Sequence, residues 1–201
     1  VGYWKFDDTA GSTTAADSSA RGNDGVLKNY DATQTQTGWV STGLSSFSFE
    51  NTGALDFDGA DDYIEMPNES DFDFDRTDPF AISIWMKSDQ VTTGMDAYIF
   101  SKLYTPAWGD WAGYYIGCLT KTTGVIRWIL EANDWPSYNS VIDGTTKVND
   151  NEWHHVTVMN EGIDGSASDM SIYIDGEKES VAVLSDDLGN RSIKNNTPLR
   201  L

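Results

Sequence analysis

The sequence predicts an all-β chain, a sandwich or barrel of short antiparallel strands. Three observations carry that expectation. Strand-like apolar segments recur from end to end, no stretch sustains a 3.6-residue apolar period, and Asp-Gly dipeptides fall at 24–25, 58–59, 143–144, 164–165 and 175–176. Asp-Gly suits tight turns because Gly takes positive φ at no steric cost and Asp tolerates it. Many short strands separated by such turns make a sandwich or barrel.

Taken in order, the expected strands are "GYWKF" (2–6), "ALDF" (54–57), "YIEM" (63–66) and "FAISIWMKS" (80–88). They continue with "AYIFSKL" (97–103), "GYYIGCLT" (113–120), "VIRWILEA" (125–132), "HHVTVMN" (154–160) and "MSIYIDG" (170–176). In the last of these Met170, Ile172 and Ile174 share one face and Ser171, Tyr173 and Asp175 the other, the pattern of a strand with one buried face. In "FAISIWMK" Phe80, Ile82, Ile84 and Met86 align while Trp85 points the opposite way, so both faces of that strand are expected to be partly covered. "LTKTTGVIRW" and "YIDGEK" read as hairpins. Residues 31–47 are polar and weakly patterned and read as a long loop inside one domain spanning 1–201, with no second domain and no linker.

Composition narrows the function classes. The 201 residues carry 13 Lys plus Arg against 32 Asp plus Glu, a net charge of −19, and 39% hydrophobic residues suffice for a full core. A chain this acidic, without a basic patch, repels phosphate backbones and is not expected to bind nucleic acid. Cys118 is alone, so it forms no internal disulfide and reads as a small buried hydrophobe. No apolar run approaches the roughly 18 residues of a membrane helix, so membrane insertion is not expected. No signal peptide is visible, and the opening on "VGYWKFDD" reads as a piece excised from a longer polypeptide with other domains.

Five segments in order then carry a resemblance: "GYWKFDDTAGSTTAADSSARGNDGVL" (2–27), "ALDFDGADDYIEMP" (54–67), "FAISIWMKS" (80–88), "NEWHHVTV" (151–158) and "SIYIDGEK" (171–178). They resemble the bacterial laminin-G-like domains of the concanavalin A-like lectin/glucanase superfamily. The resemblance implies a jelly-roll sandwich of two antiparallel sheets, used as an extracellular module of a secreted or cell-surface protein. It also implies binding of carbohydrate or protein, often with calcium. Family members continue past "TPLRL" into a closing strand beside the N-terminal one; the chain ends at Leu201, so the expectation is a sheet without that strand.

Four constellations could carry chemistry. Asp17, Asn23 and Asp24 fall within eight residues, and Asp58, Asp61 and Asp62 within five. Calcium takes six to eight oxygen ligands, which such clusters and turn carbonyls supply. The candidate ligands are Asp17, Asn23, Asp58 and the Gly25 carbonyl; the alternative is that Asp17 and Asp58 cap turns through their own side chains. The second constellation is aromatic. Trp108 and Trp111 lie in one expected loop and Trp135 and Tyr138 in another, beside Asp110, Asn133 and Asp134. Flat aromatic faces beside amide and carboxylate groups match a sugar, whose apolar face stacks while its hydroxyls need directional partners. The alternative is a local aromatic core, the role expected of Trp4, Trp85, Trp128 and Trp153.

The third is the pair His154 and His155, which face opposite ways on a strand and cannot readily share a metal. The fourth is "ESDFDF" (69–74), the nearest text to the Glu-x-Asp-x-x-Glu strand of the superfamily's glycosidases. It places Phe74 where the second carboxylate belongs. The sequence reading is therefore a non-catalytic extracellular module that binds a polysaccharide or cell-surface glycan with calcium. The alternative is a structural or adhesive, protein-binding domain of a large calcium-binding surface protein.

Overall fold

The computed structural model describes residues 2–41, 53–90, 97–105, 111–118, 123–132 and 138–201. The chain divides into two compact units, Val1–Phe72 with Pro198–Leu201, and Asp73–Thr197. The first begins with β1 (Thr14–Ala15), β2 (Gly25–Lys28), a one-turn helix α1 (Gln34–Thr37), β3 (Trp39–Ser41), β4 (Gly53–Leu55) and β5 (Tyr63–Met66). The second holds β6 (Phe80–Lys87), β7 (Ala97–Tyr104), β8 (Ala112–Cys118), β9 (Val125–Ala132) and β10 (Tyr138–Lys147). It continues with β11 (Trp153–Asn160), β12 (Met170–Ile174), β13 (Glu177–Lys178) and β14 (Ala182–Asp186), and β15 (Leu199–Arg200) returns to the first unit.

In the second unit two antiparallel sheets stack, one in the order β7-β8-β9-β10-β14 and the other β13-β12-β11-β6. This is the all-β sandwich that the alternating segments predict. Aromatics join the layers: Phe80 of β6 meets Trp128 of β9 edge-on at 5.9 Å and Tyr114 of β8 at 5.0 Å, and Phe74 stacks on Phe80 at 4.7 Å. Trp128 is fully buried, and its indole N–H donates across the sandwich to the Met159 carbonyl at 3.3 Å. An aromatic side chain of this size buries about 150–250 Å², about 4–6 kcal/mol at ~25 cal/mol per Å². Ile116, Ile126, Leu130, Ile142, Val156, Val158 and Ile172 fill the remaining interior. Cys118 is buried as a small hydrophobe, whereas Trp4, Trp85 and Trp153 are half-buried, so of the four expected core tryptophans Trp128 alone is enclosed.

Among the described residues a cation, Lys102, lies inside. Lys102 is 1% exposed, donates to the carbonyls of Asn195 at 2.7 Å and Thr197 at 3.1 Å, and stands 3.5 Å from Asp73. Asn195 returns the contact by donating to the carbonyls of Lys102 and Ala112. These bonds fasten the segment after β14 along β7 and β8. Gly113 is obligatory there, with φ at +138° and no room for a Cβ against the Lys102 carbonyl.

In the first unit the order is β1-β2-β5-β15, and β3 pairs with β4. Leu199 lies opposite Met66 and Arg200 opposite Glu65.

Four sequence expectations are corrected. "GYWKF" is not a strand: Trp4 makes an isolated bridge to Asp17, and Phe6 at φ 54° turns the chain out of the extended region. The expected loop 31–47 carries helix α1 and strand β3 over 34–41. Asp31 accepts from the Thr33 and Gln34 amides while the Gln34 side chain accepts from the Asp31 amide, a reciprocal cap that starts the helix. Asp143-Gly144 is not a turn but the middle of β10, where Asp143 pairs with Arg127 of β9 before a register shift. Asp24-Gly25 likewise enters β2, with Gly25 opposite Ala15. The turns at 58–59, 164–165 and 175–176 hold, with Gly59, Gly165 and Gly176 all at positive φ.

Candidate functional site

An acidic turn between β4 and β5 brings three carboxylates together. Asp58 accepts from the Ala60 amide at 2.8 Å through one oxygen, the turn geometry that Asp-Gly favours. The chain then folds back so that the Asp58 amide donates to Asp62 at 3.2 Å. Gln34 of α1 donates its side-chain amide to both carboxylates, at 3.1 Å to Asp58 and 2.8 Å to Asp62. Asn29 holds the Asp61 carbonyl at 2.7 Å. Carboxylate oxygens of Asp58, Asp61 and Asp62 thus come within 4.8 Å of one another.

This turn lacks positive charge. Burial, and then the charges of Asp58, Asp61 and Asp31, push the Asp62 carboxyl above its ordinary value against the pull of the Asp58 amide. The Tyr30 hydroxyl, which donates to the Asp56 carbonyl, is pushed up by burial and by Asp62, Asp56 and Asp58. One oxygen of Asp62, Oδ1, is buried without a hydrogen-bond partner among the described residues. Three carboxylates held together, one with an unsatisfied oxygen, form a hard-oxygen donor set that a divalent cation fits.

The other candidate metal ligands gather around β1 and β2. Asp17 accepts from the amides of Tyr3 and Ser19 through Oδ1, and from the Ser19 hydroxyl and the Asn23 amide through Oδ2, at 2.8–3.0 Å. Burial opposes its charge, but these donors outweigh burial and hold the carboxyl well below the carboxylate range. Asn23 is fully buried; it donates to Asp71 at 3.1 Å and accepts from Asn68 at 2.7 Å. Its carbonyl takes the Trp4 indole N–H at 2.8 Å. Gly25 is buried against Ile64, where a Cβ would collide. The structure therefore brings Asp17 and Asn23 into one hydrogen-bonded knot beside Gly25. It places Asp58 with Asp61 and Asp62, a group that does not include Asp17.

The expected aromatic rim lies in the second unit. Tyr104 pairs with Ala112, Gly113 with Glu131, and Ala132 with Tyr138. The β7–β8 and β9–β10 connections consequently leave their sheet at the same end. Tyr104 is 43% and Trp111 36% exposed at that end. Tyr138 begins β10, half-buried, with the Arg191 guanidinium 3.3 Å from its ring centre, so one face of that ring is already stacked. Trp108, Asp110, Asn133, Asp134 and Trp135 lie outside the described residues. Sequence reading did not single out Tyr98, 48% exposed and packed edge-on against Tyr115 at 4.9 Å. Tyr98 lies opposite Gly117, two residues along β8 from Tyr115, a register no sequence pattern reveals.

The histidines use separate partners. His154 spans Asp175 at 2.9 Å and Asp150 at 3.1 Å, one on each ring nitrogen. His155 bonds the Ser83 hydroxyl at 2.7 Å and packs on Trp85 at 5.0 Å. Both are tied into the sheet, as opposite-facing neighbours must be. Glu69–Phe72 form a single 3-10 turn, and Phe74 packs into the aromatic core, so the glycosidase-like text is not on a strand.

Two stacked antiparallel sheets joined by an aromatic core are the architecture of a jelly-roll β-sandwich. A laminin G family model described as the concanavalin A-like lectin/glucanases superfamily matches residues 58–201, and the chain belongs to that family. The segment 2–27, which shares in the resemblance, precedes the matched range. No curated protein matches the chain. Domains of this kind are commonly carbohydrate- or protein-binding modules and generally non-catalytic. No helix among the described residues is long and apolar enough to cross a membrane.

Proposed function

We propose that the chain is a non-catalytic extracellular module that binds a glycan at the end of the β7–β8 and β9–β10 sheet, with calcium held in the first unit. The observation that carries the glycan reading is the pair Tyr104 and Trp111. Two large rings remain 43% and 36% open to water at the one sheet end where two hairpins emerge side by side. Exposed rings in a family of binding modules support stacking against a sugar, the role expected also of Trp108 and Trp135.

Calcium is assigned to Asp58, Asp61 and Asp62. All four hydrogen-bonding positions counted on Asp17 are taken by N–H and O–H donors, which leaves its carboxylate little to offer a cation. Bound calcium would neutralise the clustered charge and satisfy the free oxygen of Asp62. Its effect is structural support, distinct from the sugar contacts.

A glycan array run in calcium and again with chelator tests the reading. A defined set of hits that Trp111→Ala abolishes without lowering Tm is expected. A blank array from folded protein overturns the glycan reading and favours a structural or adhesive domain.

A further inference from the structure

The most exposed aliphatic side chains of the described residues lie on the edge strand β14 and on the loop hydrogen-bonded to it. Ile163 is 68%, Val183 56% and Leu184 54% exposed, and Ala182 beside them is exposed as well. β14 is the last strand in its sheet order, paired through β10. The loop bearing Ile163 is fixed against the same strand: the Ala167 amide donates to Asp186 at 2.7 Å, and the Gly165 carbonyl accepts from Ser140, whose strand partner is Asp186. Burying three aliphatic residues of this size elsewhere is what folding ordinarily achieves, and an uncovered group of them marks an interaction surface.

Exposed carboxylates adjoin these residues in the chain. Glu161 and Asp164 flank Ile163, and Asp186 and Asp187 follow Leu184, all exposed. The edge is guarded in a one-sided way. A bulge leaves Leu184 without a direct partner between Val141 and Ile142, and the flanking acids repel any strand that carries acids of its own. A second copy of this chain, at −19, would bring the same carboxylates face to face. The guard does not act against a partner of opposite charge.

We propose that the Ile163–Val183–Leu184 edge docks a basic polypeptide segment with an apolar centre and Lys or Arg at both ends. The apolar centre covers the three aliphatic side chains, and the basic ends meet the adjoining carboxylates, which supply specificity and encounter rate. This surface does not depend on the glycan reading: its apolar residues lie on β14 and the 161–169 loop and none is an aromatic of the glycan rim, although Asp187 is bonded to Asn139 beside Tyr138.

Fluorescence anisotropy with a labelled Lys-Lys-Ile-Val-Ile-Lys-Lys probe tests the proposal on the full chain. Saturable binding is expected, weakened tenfold or more by the double change Val183→Ser with Leu184→Ser and lost for a probe whose lysines are replaced by glutamates. Both substituted positions are exposed, so an unchanged melting curve shows that the variant is folded. Undiminished binding by the double variant overturns the proposal, because charge alone would then hold the probe. A dimer in sedimentation velocity that Val183→Ser with Leu184→Ser turns into a monomer also overturns it, making a second copy the occupant.

Discussion

Replacing Asp61 with Asn should change stability in opposite directions with and without calcium. Asp61 is exposed, and its carboxylate sits within 4.8 Å of those of Asp58 and Asp62. Two unit charges at that distance in water repel by about 0.9 kcal/mol, and Asp61 takes part in two such pairs. Screening over a Debye length of about 8 Å trims the sum to roughly 1 kcal/mol. In chelator, Asp61→Asn should therefore raise Tm by about 2–4 °C for a chain of this size. In calcium the same change removes a charged ligand of the proposed site. Calcium at one hundred times its Kd stabilises by about 2.7 kcal/mol, about 5–10 °C in Tm, and the variant should lose most of that increment. Differential scanning calorimetry in chelator and in calcium reads both effects. Asp89→Asn, an exposed acid outside this group, corrects for general relief of negative charge. Equal calcium increments in wild type and variant would refute the assignment, as would a fall in Tm on Asp61→Asn in chelator.

Other consequences can be read directly. Gly113→Ala should destabilise by several kcal/mol, since it combines a positive φ with a collision at the Lys102 carbonyl, and denaturant titration should show a lower midpoint. Asp17→Asn should cost about 1.5–3 kcal/mol near neutral pH, the range for hydrogen bonds to a charged group. Because Asp17 titrates below its ordinary value when folded, that contribution is present above the unfolded pKa of 3.8 and lost as pH falls through the folded value. Acid titration of wild type and variant should thus converge. His154 behaves in the reverse sense. Burial lowers its pKa but the bonds to Asp175 and Asp150 raise it further, so its contribution is complete below the unfolded value of 6.5 and lost as pH rises through the folded one. The Tm difference between wild type and His154→Gln should shrink on going from pH 6 to alkaline pH, and a constant difference would contradict the bridging role.

Strands whose apolar residues alternate or run together were legible in the sequence. "FAISIWMK", "YIEM" and "VIRWILEA" coincide with β6, β5 and β9, because burying one or both faces of a strand leaves a local signature. β10 and β14 were not legible. "YNSVIDGTTK" mixes polar residues with an Asp-Gly pair, and its pairing with β9 rests on Val141 and Ile142 and on the Arg127–Asp143 ion pair. Cross-strand charge pairing depends on residues 16 positions apart, which a local reading of turn dipeptides cannot weigh. "AVLSD" fails differently: an edge strand that exposes its apolar residues has no alternation to display.

The candidate sites show the same division between local and distant chemistry. Asp58, Asp61 and Asp62 stand close in sequence, so their clustering was visible, but the Gln34 side chain that ties Asp58 to Asp62 comes from a segment expected to be featureless. Asp31-x-x-Gln34 is a readable capping signal once helix starts are sought in polar stretches, and it would have placed Gln34 on an ordered turn. Asp17 and Asp58 look alike in sequence because both are acids at turns. What separates them is the count of donors that the fold aims at each carboxylate. Four surround Asp17, and their combined pull outweighs burial and keeps it charged. Asp62, beside Asp58, has an oxygen with no donor and three neighbouring acids. A cation adds stability where charge is left uncompensated, which is why the proposed calcium is assigned to the turn that the fold leaves short of donors and not to the one it has already satisfied.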